Sequence, residues 1–284
     1  MISITNNPIC SLILCTLNRT VEVDAVLKSL SDQTFSQFEC VVVDQNEDNR
    51  LDKIIDKYKG DIAIVHVKSS KKGLSKNRNI GMSYVKGNIV GFPDDDCEYP
   101  KDTIETVVSF FEKNRDVSIF CCAMKDKKSG ERHSKMPNVK VELNKRNFFN
   151  KAISIGIFVK VQSLSDLRFD EQLGVGAPFG AAEESDFVSS LLEKNYKGFY
   201  DGTYCVYHPL FENRLNVEKY RTYNLGFGAF AKKEFLLRKK YYVLLPFMFD
   251  LAKRLVASCL PMPKRRLYRI SFISKLKGFL NYKI

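Results

Sequence analysis

Three adjacent carboxylates, Asp94, Asp95 and Asp96, follow directly on the apolar run Ile89-Val90-Gly91-Phe92. Ile, Val and Phe in a short run suit a buried parallel strand. Three acids do not suit burial, because unpaired charge in a low-dielectric interior is costly. The triplet is therefore expected at the carboxyl end of the strand, where α/β sheets open into a ligand crevice. Carboxylates clustered there can hold Mg2+ or Mn2+, and the ion can in turn hold a diphosphate. The plainer alternative is a solvated acidic turn, and the triplet by itself does not separate the two.

Two other stretches carry chemistry-bearing residues. Gly73-Leu74-Ser75-Lys76-Asn77-Arg78-Asn79-Ile80-Gly81 precedes the triplet by about one helix. Gly73 permits close backbone approach, and Ser75 is a candidate helix N-cap. Arg78, one turn into the helix, can reach a phosphate or an acidic neighbour. A capped helix with a solvated Arg is the ordinary alternative. Farther on, Glu183-Glu184-Ser185-Asp186 closes a Gly/Ala-rich loop over 179–186 that leads into an expected helix over 187–195. Acids there also suit the positive end of a helix, and one of the three is expected to serve only the dipole. His208 follows the last expected strand, whereas His66 and His133 belong to no motif and are assigned no role. There is no Gly-rich phosphate loop of either common type.

The elements that must position these residues alternate. Strands are expected over 8–16, 38–43, 62–67, 88–92, 117–124, 153–161 and 198–207, and helices over 21–31, 51–58, 75–85 and 102–113. Such alternation predicts an α/β fold, a mostly parallel sheet with helices on both faces. The first strand ends at Thr16, followed by the turn Leu17-Asn18-Arg19-Thr20 with Thr20 as N-cap. The second ends at Asp44 and the fourth at the Asp triplet. These ends should line one crevice, and a nucleotide site is the natural reading. The segment 125–145 is charged and poor in apolar residues, and is expected to be a mobile insertion.

Composition excludes several classes. With 284 residues, 44% hydrophobic and 27% charged, the chain reads as soluble and globular, one large domain or one domain with an appendage. No secretory signal pattern opens it, and no run reaches the roughly 18 apolar residues of a spanning helix. The eight cysteines are scattered with no CxxC pair, so they read as reduced core residues of a cytosolic chain. The net charge of +12 is concentrated: residues 229–284 hold fourteen of the 45 Lys and Arg but only two of the 33 acids. Aromatic and aliphatic residues interleave with Lys264, Arg265, Arg266 and Arg269. That is the composition of an interfacial helix on anionic lipid, or else of a helical lid with a solvated basic face. Two domains are expected, 1–228 and a basic, membrane-associating helical region over 229–284. No nucleic-acid motif accompanies the basic tail, so no nucleic-acid partner is expected.

In this order and spacing, the residues strongly resemble the family 2 glycosyltransferases, inverting enzymes with the GT-A fold, over residues 8–209. The resemblance implies that Thr16, Asn18 and Arg19 form the first nucleotide-binding turn and that Asp44 reads the nucleobase or ribose. Gly73, Ser75 and Arg78 are similar to the family's Gly-Leu-Ser-x-x-Arg-Asn-x-Gly signature. Asp94 and Asp96 match the ends of the metal-binding DxD, with Asp95 between them at the donor. Ala182-Glu183-Glu184-Ser185-Asp186-Phe187 resembles Gly-Glu-Asp-x-Asp-hydrophobic, whose second acid is the catalytic base. Here that place is held by Glu184, with Glu183 as the alternative register, Asp186 as the third acid and Ala182 in place of Gly. His208 matches a histidine that can approach the metal or the diphosphate. Residues 221–229 resemble a segment of bacterial members that build surface polysaccharides. The family's Gln-x-x-Arg-Trp motif of processive members is absent, which points to transfer of one sugar.

The implied function is metal-dependent transfer, with Mn2+ or Mg2+, from a nucleotide-diphosphate sugar, a UDP-sugar foremost. The implied acceptor is a hydroxyl of a lipid-linked glycan at the inner face of the cell membrane. The other function class is a membrane- or nucleic-acid-associated nucleotide-sugar-binding protein without transfer. Retention of Asp94, Asp96 and Glu184 argues against it. A nucleotidyltransferase shares the sheet and the need for metal but fits GLSKNRNIG and EESD poorly.

Overall fold

The computed structural model describes residues 7–133, 136–164, 167–209, 216–261 and 264–284. In chain order the elements are β1 Cys10–Thr16, α1 Val21–Ser31, β2 Phe38–Asp44, α2 Asp52–Tyr58, β3 Ala63–Lys68, α3 Leu74–Met82, β4 Ile89–Gly91 and α4 Thr103–Lys113. Then follow β5 Val117–Lys125, β6 Lys140–Leu143, β7 Ile157–Lys160, α5 Glu183–Glu193, β8 Lys197–Tyr207, α6 Val217–Lys232, α7 Leu244–Cys259 and α8 Arg265–Asn281. The chain divides into two compact units, the first over 1–72, 76–168 and 187–211, the second over 73–75, 169–186 and 212–284.

The first unit is built on one sheet of eight strands in the order β3-β2-β1-β4-β7-β5-β8-β6. Pairing is parallel for β1 with β2 and β4, for β2 with β3 and for β5 with β8. It is antiparallel where β7 joins β4 and β5 and where β6 joins β8. Every position of β1 and β2 is buried, as expected of central parallel strands covered on both faces. Even Glu39 is buried there, accepting the Ser11 hydroxyl at 2.6 Å and the Lys86 N–H at 2.7 Å. On α1, Val23, Val26, Leu27 and Leu30 form the buried stripe that the spacing predicts. Thr16 lies opposite Asp44 in register, and Cys15 bridges Asp94, so the strand ends meet as expected. The order reverses about β1, which is where such sheets open a crevice.

Several local expectations need correction. Residues 125–145 are not a structureless insertion, because β6 lies within them and adds to β8. Only Leu143 of β6 is buried, and an edge strand facing water gives no apolar run to read. Residues 134–135 lie outside the described residues. β7 is shorter than expected, preceded by a 3-10 turn over Ser154–Gly156. α3 starts at Leu74, so Ser75 is inside the helix and not its cap. Thr20 stands at the N-cap of α1 but its side chain makes no capping bond. α5 starts at Glu183, so the acidic segment is the first turn of a helix and not a loop. Six cysteines are buried, and burial pushes the Cys15 thiol up to about 12; Cys205 is half-buried and Cys259 exposed, so these two are not core.

The second unit packs α6, α7 and α8 with the 169–186 segment. Its small core holds Leu173, Phe179, Ala229 and Tyr282, with the Phe179 and Tyr282 rings edge-on at 5.5 Å. Two glycines of α6 explain the composition of 221–229. A Cβ on Gly226 would lie 2.5 Å from the Ala181 carbonyl oxygen, and one on Gly228 would strike the Lys275 carbonyl of α8. α8 buries its small residues Ser271, Ser274 and Gly278, with the Ser271 hydroxyl on Asn224 of α6. No helix among the described residues is long and apolar enough to cross a membrane.

Candidate active site

In the first unit the strand ends are knitted by side chains. Asn18 adopts a left-handed φ of 62° and its N–H donates to Asn46 Oδ1 at 2.7 Å. Asn46 in turn donates its backbone N–H (2.8 Å) and Nδ2 (2.7 Å) to Asp44 Oδ1. The other Asp44 oxygen meets Lys68 Nζ at 2.9 Å and His66 Nε2 at 3.1 Å. Burial alone would raise the Asp44 pKa, but Lys68, His66 and Asn46 outweigh it and hold the carboxyl below its usual range. Asp44 thus braces the Asn18 turn in this structure. His66 and Lys68 escaped the sequence reading. They sit two apart on one face of β3, and Lys68 lies opposite Asp44 in register, a signal that needs the strand pairing.

Among the described residues, Arg78, Arg19 and His208 hold the Asp triplet. Arg78 is 1% exposed and its guanidinium donates to Asp94 at 2.8 Å, so it reaches an acidic neighbour as a buried charge must. Ser154 also lies 3.3 Å from both Asp94 oxygens, a contact with no sequence signature. Thr16 Oγ1 donates to Asp95 at 2.7 Å. Arg19 pairs with Asp95 at 3.0 Å and with Asp96 at 2.5 Å. His208 Nε2 lies 3.1 Å from Asp96, and its Nδ1 lies 2.8 Å from the Pro209 carbonyl.

These neighbours drive adjacent carboxylates apart. Burial, with Asp96 and Asp94 alongside, pushes Asp95 up to about 6 against the pull of Thr16 and Arg19. Burial opposes ionisation of Asp96 as well, but His208 and Arg19 outweigh it and hold Asp96 far below the carboxylate range. His208 is correspondingly raised, burial being outweighed by Asp96. One ligand atom each from Asp94, Asp96 and His208 falls within 4.8 Å of the others. Two hard carboxylate oxygens suit either expected ion, and the imidazole nitrogen favours Mn2+ over Mg2+.

In the second unit, Gly73 takes a φ of 114°, a conformation open to glycine. Ser75 donates its hydroxyl to the Leu173 carbonyl at 2.6 Å. Ala182, which stands where the resemblance places Gly, takes a left-handed φ of 71° and leads directly into α5. In the first turn of α5, Glu183 and Asp186 are buried and Glu184 is half-buried. Asp186 accepts from Lys233 at 2.8 Å and from Arg238 at 2.7 Å.

Residues 11–170 match the family model described as Glycosyl transferase family 2. The chain belongs to glycosyltransferase family 2. The match covers the strand ends, the GLSKNRNIG helix and the Asp triplet, and stops short of Glu183 and His208. The chain is 24% identical over 237 residues to the GalNAc(5)-diNAcBac-PP-undecaprenol beta-1,3-glucosyltransferase of Campylobacter jejuni, covering 79% of this chain and 74% of that one. Some other relatives are matched over only 35% or 21% of their own length. Among solved structures, TarS 1–349 of Staphylococcus aureus in complex with UDP superposes with a TM-score of 0.61 at 18% identity, covering 95% of this chain and 88% of that one. The mannosyltransferase PcManGT of Pyrobaculum calidifontis, in complex with GDP-Man and Mn2+, gives 0.59 at 16% identity over 96% and 72%. At such identities the likeness concerns the fold, which is that of the GT-A transferases.

Proposed function

We propose that this family 2 glycosyltransferase is an inverting, metal-dependent enzyme that moves one sugar from a UDP-sugar to a hydroxyl of a lipid-linked glycan in surface polysaccharide synthesis. The observation that carries the metal-dependent reading is the convergence of Asp94, Asp96 and His208 beside the strand ends. The UDP complex of TarS and the lipid-linked substrate named for the Campylobacter relative support the choice of donor and acceptor.

Asp94, Asp96 and His208 would hold Mn2+ or Mg2+. An ion held there would supply positive charge to the departing diphosphate. Thr16, Asn18, Arg19 and Asp44 form the nucleotide turn, with Asp44 bracing it and Arg19 near the diphosphate with Asp95. Gly73, Ser75 and Arg78 set the helix start and fix Asp94. Glu184, the most exposed acid of its turn, takes the proton from the acceptor hydroxyl, which attacks the anomeric carbon from the face opposite the nucleotide. Glu183 and Asp186 support that turn.

The division into a catalytic region over 1–228 and a membrane-associating region over 229–284 is proposed as a functional one; structurally, 229–284 shares its unit with 169–186. α7 exposes Leu245, Met248, Phe249, Leu255 and Val256 at helical spacing, while Phe247 stacks on Phe279 of α8 and Leu251 is buried. Lys264, Arg265, Arg266 and Arg269 are exposed at the start of α8. Apolar stripe and cations together fit an anionic membrane surface at the inner face of the cell membrane.

A thermal-shift panel of nucleotide sugars, with and without Mn2+, tests the donor site. Stabilisation by UDP or a UDP-sugar should depend on Mn2+ and vanish in Asp96→Ala; equal binding by wild type and variant would remove the metal assignment. Sedimentation with anionic vesicles tests the tail. Replacing Lys264, Arg265, Arg266 and Arg269 by Gln should release the protein and leave UDP binding intact. Wild-type binding should also weaken with salt, since attraction is screened over about 10 Å at 0.1 M. Preferential binding to RNA at physiological salt would overturn the membrane reading.

A further inference from the structure

The second unit contains a continuous line of buried charge that the donor site does not use. Lys233 joins Asp170 at 2.7 Å to Asp186 at 2.8 Å. Arg238 joins Asp186 at 2.7 Å to Glu234 at 2.5 Å, and Lys240 pairs with Glu234 at 2.7 Å. The Tyr282 hydroxyl donates to Asp170 at the other end. The side chains of these charged residues are 3–13% exposed. Breaking such a buried set strands a charge, so it fixes geometry more than it adds stability.

The backbone is shaped to make this line. Residues 233–237 form a π-helical turn, closed by the Arg238 N–H on the Lys233 carbonyl at 3.1 Å. In a regular α-helix, residues five apart point about 140° away from each other. The wider turn brings Lys233 and Arg238 to one side, where both grip one carboxylate. Arg238 Nη2 also donates to the Asp186 backbone carbonyl at 3.2 Å, so side chain and main chain are both held.

What they grip is the first turn of α5. That turn has three acids in four residues, and the residue before it, Ala182, has no side-chain oxygen to cap a helix and sits at positive φ. The acids suit the helix dipole, but the left-handed backbone of Ala182 is costly by itself. We infer that Lys233 and Arg238 make Asp186 a positioning residue, which locks the turn bearing Glu183 and Glu184 for proton abstraction. The inference rests on the proposed transfer reaction and deepens it. Asp186 is thereby taken out of the catalytic acids, and the start of the basic region becomes part of the frame of the base.

The test uses the full chain with Arg238→Gln, Arg238→Lys and the charge-neutral pair Asp186→Asn with Arg238→Gln. Hydrogen exchange is followed in peptides over 179–190, together with UDP affinity and the turnover of whichever UDP-sugar the panel selects. Arg238→Gln should speed exchange in the first turn of α5 by at least about tenfold. It should lower kcat by about a hundred-fold, the scale of a misplaced group, with the donor KM and UDP affinity within about threefold. Arg238→Lys should recover only part, because an ammonium cannot reproduce the fork. If Arg238→Gln does not fold, the neutral pair should fold and show the same exchange and kcat losses. Unchanged exchange and kcat in a folded variant would overturn the inference, as would loss of UDP affinity in step with kcat. A wild type that turns over no nucleotide sugar refutes the proposed function instead, and the exchange measurement then decides the positioning role.

Discussion

Two acidic clusters of this protein, one in each unit, differ in how far water reaches them. In the first unit, Asp94, Asp95 and Asp96 keep side-chain exposures of 29%, 16% and 24%. Among the described residues they pair with Arg78, Arg19 and His208; burial pushes Asp95 up to about 6, while His208 and Arg19 hold Asp96 well below the usual range. In the second unit, Asp186 and Glu234 are 3% exposed and each is paired with two cations. A cluster left open to water can exchange its partners for an incoming cation or ligand. One closed off from water cannot, because every broken pair leaves a charge stranded. In the proposed reading, similar residue types serve binding in one unit and positioning in the other.

The largest effect that could break this comparison lies at Glu184, the half-buried acid on the rigid turn. Glu184→Gln should cut kcat by about a hundred-fold to ten-thousand-fold and leave UDP affinity unchanged. Near-normal turnover in Glu184→Gln, with Glu183→Gln inactive, would move the base to Glu183. Kinetics on the purified pair of variants settles the register.

A smaller effect concerns the closed cluster and acid. Burial would raise the pKa of Asp170, but Lys233 and Tyr282 outweigh it and hold the carboxyl below the usual value. A depressed folded pKa means stabilisation that is complete above the unfolded value of about 3.9 and is lost as pH falls through the folded value. Urea unfolding at pH 5 and pH 3 should therefore show a shallower acid loss in Asp170→Asn than in wild type. The same slope in both would detach Asp170 from the acid response.

The smallest expected effect sharpens the picture of the turn itself. Ala182 at φ 71° carries strain that glycine would not. Relief of about 1–2 kcal/mol is offset by about 0.4–1 kcal/mol of extra chain entropy in the unfolded state. Ala182→Gly should then gain between nothing and about 1.5 kcal/mol in urea unfolding, and a net loss would show that the Ala182 methyl contributes packing of its own.

Much of the first unit is legible in the sequence. Strand runs such as 38–43 and the stripe Val23, Val26, Leu27 and Leu30 are local patterns, and the structure repeats them almost residue for residue. The Asp triplet was legible for the same reason, since acids after an apolar run cannot be buried unpaired. Arg78 was legible only as a choice between phosphate and acid, and Asp94 at 2.8 Å makes it the acid in this structure. The edge strand β6 was not legible, because a strand facing water has no apolar signature.

The sequence by itself determined the alternation of elements, the order of the motifs and hence the family, because apolar periodicity and motif spacing are properties of neighbouring residues. The tertiary structure alone decided which charges meet. Asp186 and Arg238 stand 52 residues apart, and Asp44 and His66 22 apart. Nothing local distinguishes a Lys or Arg destined for solvent from one destined for a buried carboxylate. That choice is made only when folding removes water from the group and leaves one counter-charge within reach.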